Sequence, residues 1–310
     1  MKRFFPLFLC MTMLFSLIAC GPQTPTPPDD TGNGTEDTPP APPLPASPIE
    51  LGTLNVELAI EDAEVEDLMA LGRELGGLLK GALAAEAVTV GDVHVTFGTS
   101  PSATADALRD GNVHIAWLGA RTYSGRADGI TPVLGVEAEE GSYLYAAPSD
   151  AGRALGSDPR WEDIAELSWG LQQEHSLCGF WYPALYLADK HDGRTTEDLE
   201  SIVFFDSFDD ALAAAERGEV DIVAANAPVT QDGFTLLAEF SPVFSGAVAV
   251  TNADETVAGE AFRQRLASAV LSLCETEPAR GLLQSCGQDV CHVVTDADFD
   301  ALRRIGAMGY

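Results

Sequence analysis

Basic residues are scarce: 17 Lys and Arg stand against 48 Asp and Glu in 310 residues, a formal net charge of −31. So large an acid excess repels phosphate, which excludes nucleic acid and an anionic membrane surface as partners. The local signatures of common catalytic sites are missing too. There is no Gly-x-Ser-x-Gly elbow, no His-Glu-x-x-His, no phosphate loop ending in Gly-Lys-Ser/Thr and no Gly-x-Gly-x-x-Gly after the first strand. No enzyme activity is expected. The apolar run Phe4–Ile18 is short for a membrane-spanning helix. Hydrophobic residues at 46% and 29 Gly nonetheless suit a packed α/β body, and the length leaves room for two domains.

Lys2 and Arg3 precede that apolar run and Leu17-Ile18-Ala19-Cys20 closes it, the layout of a secretory signal over residues 1–19. Leu-x-Ala-Cys at such a point resembles the bacterial lipobox, whose cysteine is lipidated and becomes the mature N-terminus. Cys20 is therefore expected to carry lipid. From Gly21 to Pro48 there are ten prolines, four acids (Asp29, Asp30, Glu36, Asp37) and no base, a composition that cannot bury apolar surface. Residues 20–49 are expected to form a lipidated, disordered tether. At about 3.1 Å per residue its extended reach is on the order of 90 Å, enough to hold a folded body clear of a lipid surface. The expected location is extracytoplasmic, at a bacterial membrane.

Beyond Cys20 the mature cysteines are Cys178, Cys274, Cys286 and Cys291. In an oxidising compartment four cysteines allow three connectivities, between which sequence does not choose. The close trio Cys274, Cys286 and Cys291 is expected to hold at least one bridge, leaving Cys178 as a buried thiol. His175 with Cys178, and Cys291 with His292, lack the spacing of a closed zinc cluster. No metal and no cofactor are expected.

Periodicity divides the body into alternating strands and helices. Leu54 to Ile60 reads as a strand, and Val65, Leu68, Leu71, Leu75, Leu78 and Leu79 then recur at helical spacing. Val93 to Phe97 alternates as a strand. Ser100-Pro101 reads as an N-cap followed by proline at the first helical position, and Val113 to Leu118 is nearly all apolar, as in a strand covered on both faces. A second run gives strands at 143–147, 167–171, 202–205 and 220–225, with helices at 161–166, 179–189 and 209–217, the last capped by Ser207. Strands at 236–240 and 247–250 precede helices near 256–274, 278–283 and 296–305. The pattern predicts an α/β fold with mostly parallel sheets in two lobes, residues 50–146 plus 246–310 and residues 147–245. Two crossings between lobes would make a hinge, with ligand in the cleft at the carboxyl ends of the strands.

Several stretches resemble the phosphate, phosphite and phosphonate type of solute-binding protein of ABC importers. Ala107 to Gly119 (ALRDGNVHIAWLG) is similar to that family's strand and turn. Gly141-Ser142-Tyr143 resembles its G-x-Y, Ser176 to Pro183 stands where it has Ser-Thr-Ser-Gly-x-x-x-Pro, and Ala211 to Asp221 resembles its A-L-x-A-V-x-x-G-x-V-D. The resemblance implies a type II periplasmic binding protein fold, in which a monomer closes on a small anionic solute and hands it to a membrane permease. By position, Tyr143 and Ser176 would contact ligand, and the amides of Cys178 and Gly179 would point at the anion from a helix start. Unsatisfied amides and a helix dipole can hold an anion without a basic side chain, which suits an acidic protein.

The sequence departs from the family in its polar residues. Leu177 and Cys178 replace two hydroxyl residues, the family's pocket His falls at Phe208, and its tyrosine after the third strand falls at Pro101. Its acidic residue falls near Pro228, and no Asp stands between Phe244 and Val250. The family's carboxylates accept the proton of a monoprotonated oxyanion, so their loss implies a different or larger anion. Phe180, Trp181 and Phe208 would make the cleft more apolar, with Asn226 as its neutral polar residue. Tyr123 follows the strand 113–118, where ligands of such sheets sit, against the alternative of a surface turn. A ligand-sensing or structural envelope lipoprotein with the same fold is the rival reading.

Overall fold

The computed structural model describes residues 47–59, 68–98, 100–284 and 290–309. The expected signal segment, Cys20, most of the tether and Cys286 lie outside the described residues. The chain begins with β1 (Ile49–Ala59), α1 (Leu68–Ala85), β2 (Val88–Gly98), α2 (Pro101–Arg109), β3 (Ile115–Gly119), α3 (Ala120–Gly125) and β4 (Ile130–Glu137). Next come β5 (Ser142–Ala146), α4 (Asp150–Ala154), α5 (Trp161–Ile164), β6 (Ser168–Gln172), a π-helical turn (Leu177–Trp181) and α6 (Tyr182–Lys190). β7 (Ser201–Phe205), α7 (Phe208–Glu216), β8 (Ile222–Ala225) and β9 (Thr235–Phe240) complete this part. The chain then runs through β10 (Phe244–Thr251), α8 (Glu255–Ala258), α9 (Glu260–Glu275), α10 (Ala279–Gln284), β11 (Cys291–Val293) and α11 (Asp300–Met308).

The strands form two sheets, ordered β11-β4-β10-β3-β1-β2 and β7-β6-β8-β5-β9. β1 is parallel to β2 and β3, and β6 is parallel to β7 and β8, as βαβ units require. β10 is antiparallel to β3 and β4, β11 to β4, and β5 to β8 and β9. Both sheets are therefore mixed where mostly parallel ones were expected, because β5 and β10 enter each sheet from the other side. β5 also belongs to the second sheet. The first crossing thus falls at 138–141 instead of after 146, and the second falls at 241–243.

Local sequence accounts for the elements that were legible. Leu54, Val56 and Leu58 alternate into the core from β1, and Ser100 accepts from the Ala103 amide at the head of α2. Gly72 and Gly76 let α1 lie against the outermost strand β2. A Cβ at these positions would stand 2.6 Å from the Val95 carbonyl oxygen and 2.8 Å from that of Val93. The helix thereby covers that flank of the sheet. β4 was not anticipated because Pro132 and Gly135 break its pattern. Pro132 sits at a register shift against β10, the place where a strand interior tolerates a residue without an amide hydrogen.

The two crossings are bonded to each other, the Ala138 amide donating to the Val243 carbonyl at 2.8 Å. α11 adds a third link. Its Ile305 is fully buried in a cluster with Cys178, Tyr182, Leu185 and Val243, and Arg304 pairs with Asp189 at the end of α6. Among the described residues no helix is long and apolar enough to cross a membrane. Ile305→Ala should lower the unfolding free energy by about 2–4 kcal/mol, since it opens a cavity at the seam. Arg304→Ala, which removes a half-exposed pair, should cost less than about 1 kcal/mol. Urea titrations of both variants check the contrast.

Candidate functional site

β6 ends in Gln172, and the chain turns back into a helix whose first residues are a π turn. Ser176 caps it, accepting from the Gly179 amide at 3.0 Å. The Phe180 and Trp181 amides both reach the Ser176 carbonyl at 3.2 Å, and the Tyr182 amide goes to Leu177. Pro183, five residues after Cys178, has no amide hydrogen to continue this wider ladder. The Cys178 carbonyl is instead satisfied by the buried Ser142 hydroxyl, which donates to it at 2.6 Å. A side chain at the entry of β5 thus substitutes for a missing helix donor.

Gly179 is required where it stands. A Cβ there would lie 2.1 Å from Gln172 Cγ and 3.1 Å from the Phe208 ring. Gln172 is itself buried, and among the described residues its side-chain amide nitrogen has no hydrogen-bond partner. Phe208 opens α7 behind the Ser207 cap, and Asn226 directly follows β8. Tyr143 pairs with Ala225 in the register of β5 and β8, so it adjoins Asn226 at the same end of the sheet. Its ring covers Gly141 and stacks on Tyr145 with centroids 6.4 Å apart. Tyr143, Ser176, Cys178, Gly179, Phe208 and Asn226 are therefore gathered where β6, β7 and β8 end.

Next to this group a cavity of about 660 Å³ opens between the sheets. Its walls are the first crossing (Glu137–Glu140), the helix start (Ser176–Cys178), and Val243 and Ser245 of the second crossing. Among the described residues the Leu177 and Cys178 amides have no acceptor. The first crossing brings three acidic residues to the cavity, Glu137, Glu139 and Glu140. Glu140 accepts from the Asn226 side-chain amide at 3.0 Å, and Glu137 is bound to His292. Burial, and then the Glu140 carboxylate, push the Cys178 thiol up to about 11. It therefore stays protonated near neutral pH and is no nucleophile. Among the described residues no group of His, Cys, Asp and Glu is arranged to hold a metal ion.

Three expectations change. The Gly179 amide is occupied by Ser176, which leaves the preceding two amides for an anion. Tyr123 is not at the cleft. It is fully buried against α11, its hydroxyl donating to Asp296 at 2.6 Å, with the Arg303 guanidinium 5.9 Å from its ring. Burial and the Asp296 carboxylate raise its pKa. Phe180 lies in the core of the second sheet against Phe204 instead of lining the cleft. Sequence reasoning passed over Glu140, Ser142 and Gln172. A polar residue ending the apolar strand Trp169-Gly170-Leu171 was the available signal for Gln172, and Ser142 lay inside a quoted motif without a role. A larger depression of about 720 Å³ around Trp161, Lys190 and Arg194 is a solvated charged surface, in which Lys190 pairs with Asp158.

The family profile described as ABC transporter, phosphonate, periplasmic substrate-binding protein matches residues 79–299. The chain belongs to this family. The binding protein is thus the substrate-binding component of an ABC transporter and acts outside the cytoplasm, in a family that transports its ligand and is not one of enzymes. No curated protein sequence matches it. Among solved structures it is similar to PhnD1 from Prochlorococcus marinus in complex with methylphosphonate, with 15% identity over 83% of this chain and 97% of that one, TM-score 0.42. It is similar also to a binding protein component of an ABC phosphonate transporter from Pseudomonas aeruginosa, with 14% identity over 84% and 86% of the two chains, TM-score 0.39. Transferrin 1 from Manduca sexta shares the fold, with 12% identity over 82% of this chain and 46% of that one, TM-score 0.53.

Ser142→Ala should leave the buried Cys178 carbonyl of the binding protein without a donor, at a cost of about 1–3 kcal/mol. Ser142→Thr, which keeps the hydroxyl, should recover part of that loss. Denaturant midpoints of the two variants check it.

Proposed function

We propose that this protein is a lipid-anchored receptor that captures a small, protonated oxyanion between its two lobes and delivers it to the permease of an ABC importer. The observation that carries the proposal is the capped helix start at the cavity, where the Leu177 and Cys178 amides have no acceptor among the described residues. The amides and the positive end of the helix dipole attract negative charge without any basic side chain. Tyr143 and Asn226 stand beside them as further polar groups.

Glu140 gives the reading its chemistry. The carboxylates that sequence comparison found wanting were sought in the loops after β8 and around β10, whereas this one comes from the first crossing and reaches Asn226. A carboxylate beside an amide anion site accepts a hydrogen bond from a monoprotonated phosphonate or phosphate. It repels a sulfonate, which has no proton to give. The expectation of a different or larger anion therefore gives way to a singly protonated one.

The acidic wall and the occupied Gly179 amide favour a second reading, in which the fold serves as a sensing or structural envelope lipoprotein with no transported ligand. Calorimetric titration with methylphosphonate, phosphate, sulfate and methanesulfonate distinguishes the two. Transport predicts binding of the first two near neutral pH, that of methylphosphonate weakening tenfold or more as it loses its last proton. It also predicts that Glu140→Gln admits methanesulfonate. No heat and no thermal shift with any of the four would favour the second reading.

A further inference from the structure

We infer that Cys274 and Cys291 form a disulfide that fastens β11 to α9. The observation is a direct apposition: the two Sγ atoms lie 3.6 Å apart, with Cys291 buried and Cys274 half-buried. Both side chains belong to the core cluster beneath the first sheet. Two sulfurs in contact need only a small side-chain rotation to reach bonding distance, about 2.05 Å. The family acts outside the cytoplasm, where such pairs are oxidised and remain so. The inference is independent of the ligand proposed above.

The site has a mechanical reason. β11 is three residues long, lies at the margin of the first sheet, and pairs with β4, which leads directly into the first crossing. Three residues of ladder hold an outer strand weakly. A covalent link to α9 fixes the strand that carries His292, and through it the Glu137 carboxylate at the cavity wall.

The oxidant is an extracytoplasmic thiol–disulfide oxidoreductase carrying its own disulfide. Cys274, the more accessible thiol, attacks that disulfide as its thiolate and forms a mixed disulfide, releasing one oxidant thiol. Cys291 then displaces the oxidant, releasing the second. The two protein sulfurs lose two electrons and two protons, and the oxidant gains them.

Cys286 is the competing partner, and the sequence allows a clean test. Trypsin after Arg280 separates Cys274 from the other two, and cleavage before Asp289 separates Cys286 from Cys291. Exported protein, alkylated and digested without reductant, should give a peptide pair joined through Cys274 and Cys291. Cys286→Ser should retain that link. Cys291→Ser should lose it, lower the Tm by roughly 5–10 °C, and make the Tm insensitive to reductant. A link through Cys286, or alkylation of both Cys274 and Cys291 before reduction, would overturn the assignment.

Discussion

Between the two sheets the chain passes as two short segments, and what the site can do depends on how those segments are tied. The bond from the buried Ser142 hydroxyl to the Cys178 carbonyl is the tie that matters most. It joins the exit of the first crossing to the first turn of the helix whose start lines the cavity. The second crossing is bonded to the first through Ala138 and Val243, so the two crossings and the helix start form one hydrogen-bonded unit.

The electrostatics of this unit are asymmetric. The cavity is lined by the start of a helix, with the positive end of its dipole, and by Glu137, Glu139 and Glu140, in a chain that is already strongly acidic.

The α/β character, the helix caps at Ser100 and Ser207, and the apolar strand β3 were legible because each rests on a local rule. β4 was not, since Pro132 is tolerated only by a register shift that a partner strand supplies. β11 was hidden for another reason: three residues carry no periodicity. At the site, sequence position located Tyr143, Ser176, Phe208 and Asn226 at one end of the sheet, but it misplaced Tyr123, whose burial depends on a helix almost two hundred residues later in the chain. Ser142 was invisible because its role arises from the amide hydrogen that Pro183 lacks.

The straddling position of α11 has a consequence for how the molecule is assembled. Ile305 closes over side chains contributed by the π turn, α6 and the second crossing, all made much earlier in the chain. A polypeptide threaded unfolded across a membrane from its N-terminus can build each sheet as it emerges, yet the apolar seam between them stays wet until residue 305 has arrived. A chain ending before that point would leave Cys178, Tyr182, Leu185 and Val243 without this cover, an apolar stripe open to water.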